Sequence, residues 1–125
     1  MQPPSLYAKP YFNSGLAYSK KGQDDQAISD FSKAIEINTG YAMAYHARGH
    51  TYAIKHQYDQ AIFDFSKAIE LNPRDAESYY TRAIAYFSKR EYDKSSDDVK
   101  KEQDLGCKIH PGFLKALREA SGEQK

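Results

Sequence analysis

Residues 45–73 read YHARGHTYAIKHQYDQAIFDFSKAIELNP. Two amphipathic helical patterns meet there at a short turn, and Asn72-Pro73 closes the second. Proline disfavours a helical residue before it and cannot continue a helix itself. Upstream by 34 positions, residues 11–38 read YFNSGLAYSKKGQDDQAISDFSKAIEIN, nearly the same text. A period of this length marks helix–turn–helix units stacked into a solenoid.

The chain of 125 residues is long enough for one compact domain. Hydrophobic residues make up 40% and charged residues 28%, the balance of a globular chain rather than a disordered one. The formal net charge is +1 with both signs interspersed, which argues against nucleic acid or an anionic membrane surface as partner. No apolar run approaches the roughly 20 residues a membrane span needs, and MQPPSLYAKPYF lacks the apolar core of a signal peptide. Cys107 is the single cysteine, so no internal disulfide forms, and a cytoplasmic setting is expected. The Met1 start and the polar end lead us to expect a self-standing module.

Residues 1–7, with Pro3 and Pro4, are expected to be an extended or disordered tail. A first helix is predicted from Ala8–Pro10 to about Lys21, stopped by Gly22. A second starts at Asp24 or Asp25, where carboxylates suit the helix dipole. Its Ala27, Ile28, Phe31, Ala34 and Ile35 fall at i, i+3, i+4, i+7, i+8 and make one apolar face. The second unit repeats the plan, with helices over 41–55 and 58–71 and a turn at His56-Gln57. Asp75 is the predicted N-cap of the fifth helix.

The third unit departs in its second half. Ser95, Ser96 and Glu102 stand where the second unit has Ala61, Ile62 and Ala68. Glutamate at that seat would be buried without a partner if a further unit docked in the same way. The array is therefore expected to end there. Asp97-Asp98 with Ser95-Ser96 reads as a solvated helix face, open to phosphorylation at the serines. After Gly106, residues 111–121 form a last helix whose Phe113, Leu114 and Leu117 suit it to cap the stack. Residues 122–125 are expected to be a flexible tail.

The pattern resembles the tetratricopeptide repeat family, whose signature runs W-x2-L-G-x2-Y, A-x3-F, P. The second unit supplies Tyr45, Gly49, Tyr52, Ala61, Phe65, Ala68 and Pro73, with Arg48 in place of the leucine. The first supplies Tyr11, Gly15, Tyr18, Ala27, Phe31 and Ala34, with Thr39 in place of the proline. The third supplies Tyr79, Ala83 for the glycine, and Tyr86. The resemblance implies an all-α, right-handed superhelix of three units, 8–41, 42–75 and 76–109, the third degenerate, plus the capping helix. Gly49 and its equivalents let paired helices approach, so Gly49→Leu is expected to overpack at about 1–3 kcal/mol.

The resemblance also implies that the first helix of each unit lines a concave groove. The groove positions are Lys9, Phe12, Leu16 and Lys20; Met43, His46, His50, Ala53 and Ile54; and Glu77, Tyr80, Ile84 and Phe87. The i, i+4, i+8 spacing of His46, His50 and Ile54, and of Phe12, Leu16 and Lys20, independently puts each set on one face. An apolar-aromatic strip there implies a non-catalytic module holding a peptide or helix. Alanine or a reversed charge at Tyr80 and Phe87 is expected to weaken binding without unfolding. Some members of the family grip acidic chaperone tails with lysines, asparagines and an arginine. The corresponding positions here are Phe12, Leu16, Ala47, Glu77 and Thr81, which lack those residue types, so such tails are not expected as partners.

Three other readings rest on particular residues. His46 and His50 have the i, i+4 spacing of zinc ligands, but lack the glutamate of H-E-x-x-H and need a third ligand such as Glu77. No metal or other cofactor is expected. Cys107 and His110 lie three apart with nothing to supply an oxyanion site, and no phosphate loop or nucleophile motif appears, so an enzyme is not expected. Phe63 stands on the convex face where the other units have Ser29 and Asp97. It makes homo-oligomerisation, through Phe63 or through the groove, the second functional reading.

Overall fold

The computed structural model describes residues 5–123. Among these are seven helices and no strand: α1 (Ser5–Lys20), α2 (Asp24–Ile37), α3 (Ala42–Ile54), α4 (Tyr58–Leu71), α5 (Ala76–Ser88), α6 (Tyr92–Asp104) and α7 (Pro111–Glu123). Short turns pair α1 with α2, α3 with α4 and α5 with α6. Then α3 stacks on α2, α5 on α4 and α7 on α6. The result is an all-α superhelical stack of three helical pairs and a final single helix.

Both ends depart from expectation. Helix α1 begins at Ser5, so residues 5–7 are helical rather than extended; residues 1–4 lie outside the described part. Ala8 is fully buried and Phe12 nearly so, both in the core shared with α2. That burial holds the segment helical even though Pro10 lies inside it. Helix α7 continues to Glu123, so residues 122 and 123 are helical and only 124–125 of the expected tail fall outside.

The turns within the pairs share one backbone device. Gly22, His56 and Arg90, each 34 residues apart, all adopt the left-handed conformation, with φ of 75°, 62° and 65°. Glycine enters that region freely; histidine and arginine do so at a cost of order 1 kcal/mol. The packing of the helices on either side over-determines the turn.

Close approach within a pair depends on the small residues. A Cβ on Gly49 would stand 2.9 Å from the Phe65 ring and 3.1 Å from the Ala61 carbonyl oxygen; one on Gly15 would stand 2.5 Å from the Phe31 ring. The third pair has Ala83 instead, and Ser95 replaces the alanine opposite it. Ser95 is fully buried and its hydroxyl donates to the Ala83 carbonyl at 2.7 Å. Asp98 is buried too. The expectation of a solvated face at Ser95-Ser96 and Asp97-Asp98 therefore holds for Asp97 alone among the acids and fails for Ser95 and Asp98.

Asp98 is buried because it belongs to a polar ladder. Arg48, at the signature's leucine position, donates twice to Asp64 on α4, at 2.8 Å each, and once to Ser32 on α2 at 3.0 Å. Its repeat equivalent Arg82 does the same to Asp98 on α6, at 2.8 and 2.6 Å, and to Ser66 on α4 at 3.0 Å. Each guanidinium also lies near the rings of two flanking tyrosines, Tyr45 and Tyr52 or Tyr79 and Tyr86. One arginine thus fastens three helices across a junction. In the first pair Ser14 takes the arginine's place and donates to Asp30 at 2.6 Å. Nearer the surface, Lys55 bonds Asp25 and Lys89 bonds Asp59 in the same register.

Candidate functional site: the concave groove

The predicted groove residues lie on α1, α3 and α5, but the structure sorts them into three groups. Leu16, Met43, Ile54 and Ile84 are the exposed apolar members, with Met43 65% and Ile54 51% exposed. His50, Glu77, Lys9 and Lys20 are exposed polar members. Ala53 is half-buried beside Ile54. Of the rest, His46, Tyr80 and Phe87 are half-buried too and Phe12 is buried.

Phe12 is the first correction. It is 6% exposed, with its ring centroid 5.8 Å from Phe31 and 5.1 Å from Tyr41. Tyr41, in the turn before α3, leans over it, so Phe12 is mainly a core residue. Tyr80 and Phe87 are the second correction. Phe113 of α7 lies 5.9 Å from Tyr80 edge-on and 5.5 Å from Phe87, and Tyr92 flanks Phe87 from the other side at 5.4 Å. The third row of the groove is thus partly roofed by the capping helix. Substituting Tyr80 or Phe87 would disturb that packing, so they are not clean probes of binding.

His46 is fixed rather than free. The Ser78 hydroxyl donates to Asp75 at 2.6 Å, which leaves its oxygen to accept from His46 Nδ1–H at 2.8 Å. Asp75 also accepts from the Ser78 backbone N–H, as the predicted N-cap of α5. The His46 Nε2 faces Glu77 at 3.6 Å, and the ring packs 5.4 Å from Phe65. His50 has its pKa lowered by burial and by neighbouring His46, against a smaller upward pull from Glu77. Among the described residues no group of three or more His, Cys, Asp or Glu could hold a metal ion. His110 is engaged with its own turn, where its ring accepts from the Gly112 N–H at 3.0 Å.

Three cavities run along the concave face. One of about 250 Å³ lies between α3 and α5, lined by His50, Ala53, Ile54, Tyr58, Phe65, Ile84 and Ser88 among others. One of about 400 Å³ lies between α1 and α3, lined by Phe12, Leu16, Met43, His46, Asp75 and Glu77. A third, about 250 Å³, shares Leu16, His46, Ala47, His50 and Glu77 and adds Thr81, so it bridges the other two. Sequence reasoning missed Tyr58, which lines the first cavity from the start of α4, and Ser88. Ser88 is the 34-residue equivalent of Ile54, so the period alone could have found it.

Two sequence comparisons decide the family. The profile of the tetratricopeptide repeat family matches residues 8–41 and 42–75, together more than half of the chain. The chain belongs to the tetratricopeptide repeat family. A second profile of the same family matches residues 65–95. No curated protein matches the chain in sequence.

Several solved structures superpose closely. The first such domain of Spaghetti (RPAP3), bound to the HSP90 peptide SRMEEVD, has a TM-score of 0.86 at 22% identity, over 96% of this chain and 94% of that one. The TPR2B domain of yeast Sti1, in a pHsp70 complex, has 0.83 at 22% identity, over 97% and 100%. A MamA structure has 0.78 at 29% identity, over 79% of this chain and 58% of that one. No helix of the described residues is long and apolar enough to cross a membrane.

Proposed function

We propose that this chain is a non-catalytic protein-interaction module that holds a peptide or helix, through apolar anchors, in the concave groove. The observation that carries the reading is the unroofed apolar strip of Leu16, Met43, Ile54 and Ile84 along linked cavities. Family membership and the peptide-bound state of the Spaghetti domain support the general class. Each cavity is large enough for an anchoring side chain, and the one between α3 and α5 is walled mainly by apolar groups. The partner expected is an apolar or aromatic segment rather than an acidic tail. In support, the positions that would clamp a carboxylate are a buried phenylalanine, Leu16, Ala47, Thr81 and the like-charged Glu77.

The test is selection of displayed random peptides on the immobilised chain, followed by calorimetry of the enriched peptides. Enrichment of leucine, methionine or aromatic anchors is expected, with binding lost on the double substitution I54E/I84E. Equal affinity for wild type and I54E/I84E would overturn the groove assignment. Low-micromolar binding of SRMEEVD would overturn the exclusion of acidic tails.

Self-association is the second reading, favoured by Phe63, which is 58% exposed on the convex face. Light scattering decides it: concentration-dependent mass that F63D abolishes supports a convex contact, and a constant single-chain mass removes it.

A further inference from the structure

The junction of α6 with α7 differs from the junctions before it. Arg48 and Arg82 each bind side chains on the preceding helical pair. Among the described residues no side-chain hydrogen bond or ion pair ties α7 to α5 or α6; its polar contacts stay within its own turn, at His110. It is held by apolar packing alone, with Leu117 buried beside Val99 and Ala83, and Phe113 and Leu114 half-buried. Phe113 meanwhile roofs Tyr80 and Phe87.

Glu102 sits on that face of α6, one turn beyond Val99. Its repeat equivalents Ala34 and Ala68 are fully buried where the next helix docks. Glu102 is also buried, at 7% exposed, and its Oε2 has no hydrogen-bond partner among the described residues. The helices packed against α6 are α5 and α7. We propose that Glu102 is a proton-operated latch: with its carboxyl neutral, α7 stays docked over Tyr80 and Phe87; with it ionised, α7 lifts and the third row of the groove opens.

The physical basis is desolvation. A neutral carboxyl is tolerated at such a seat, whereas an ionised one needs water or a cation. Charged and titratable groups stand on every element around it: Glu77, Tyr79, Tyr80, Arg82 and Tyr86 on α5; Asp98, Lys100, Lys101 and Asp104 on the same end of α6; Cys107, Lys108 and His110 in the turn; Lys115, Arg118 and Glu119 on α7. None pairs with Glu102, and Arg82 is committed to Asp98. Burial alone pushes the Glu102 carboxyl up to about 7. The helix held by apolar packing alone is therefore docked next to a buried carboxyl that has no partner among the described residues.

The gate itself does not depend on the groove reading; only its consequence for binding rests on that reading. Hydrogen exchange of α7 amides, corrected for intrinsic rates, is followed from pH 5.5 to 8.5 in the full chain. The aromatic NMR resonances of Tyr80 and Phe87, shifted by the Phe113 ring while it is docked, report the roof without a substitution there. Wild type is expected to lose α7 protection, on the order of tenfold per pH unit through the transition, as the ring-current shifts of Tyr80 and Phe87 collapse. E102Q is expected to stay closed and flat with pH. E102A, which carries the residue of the first two units, is expected to do the same. A flat wild-type profile overturns the latch. So does a pH response that persists in E102Q, which would assign it to a histidine such as His110, or an α7 that is open at every pH in E102A.

Discussion

Arg48 and Arg82 occupy a position the family gives to leucine, yet both are half-buried, each against a buried aspartate. The side-chain hydrogen bonds it donates to Asp64 hold the Arg48 guanidinium above its ordinary pKa, against the opposing pull of burial. For Arg82 burial is the largest single influence and lowers the pKa, but the hydrogen bonds and charge of Asp98, with the flanking tyrosines, together raise it above its ordinary value. A buried pair of this kind is costly to break on one side, because the remaining charge loses its only compensation. Asp64→Ala is therefore expected to destabilise the chain by about 3–5 kcal/mol in urea titration. The double substitution R48M/D64L, which removes both charges and keeps the volume, should recover most of that loss. A double variant as unstable as Asp64→Ala would show that the ladder does more than neutralise itself.

At the scale of the helix, the 34-residue period made most of the fold legible, because helix spacing, turn position and small-residue contacts all repeat with it. The parts that were not legible are those where a side chain reaches into a neighbouring unit. Asp98 looked solvated since its own helix gives no hint of Arg82, 16 residues earlier in sequence. Phe12 looked like a groove residue since nothing local reveals Tyr41 above it. Tyr80 and Phe87 looked open because the placement of Phe113 depends on how α7 docks, and no periodicity fixes that. Glu102 was legible as a misfit, and its burial follows from α7 acting as the next helix. This has a consequence for stability. A carboxyl whose folded pKa of about 7 exceeds its unfolded value is ionised earlier in the unfolded state as pH rises. Its stability contribution is complete below the unfolded pKa near 4.5, declines between 4.5 and about 7, and is lost above. E102A is thus expected to melt higher than wild type at pH 8, by on the order of 1–3 kcal/mol, with a smaller gap at pH 5. Differential scanning calorimetry at the two pH values checks the sign; an equal gap at both would show that size, not charge, is what matters at that seat.

The whole molecule is a stack in which each pair touches only its neighbours, so its cooperativity depends on the junctions. The apolar core falls into two clusters. One joins α1 to α4 through Phe12, Phe31, Ala34, Tyr45 and Ala68; the other joins α5 to α7 through Ala83, Val99, Ile109 and Leu117. Beside the packing of α5 on α4, side-chain bonds also cross the division: Arg82 to Ser66, His46 to Ser78 and Lys89 to Asp59. Polar bonds at a junction contribute about 1 kcal/mol each, less than burial of a large apolar side chain. The smaller cluster is also the one that includes the weakly fastened α7, with buried Glu102 one turn beyond Val99. Native-state hydrogen exchange is therefore expected to show α5–α7 opening as a unit at lower free energy than α1–α4. Removing the bridging guanidinium together with its carboxylate, as R82M/D98L, keeps the third pair packed but cuts its bond to Ser66. The gap between the two opening free energies should then widen by about 1 kcal/mol. Uniform protection across all seven helices, unchanged in R82M/D98L, would mean that Phe65 and Tyr79 carry the junction by packing alone and that the stack unfolds as a single body.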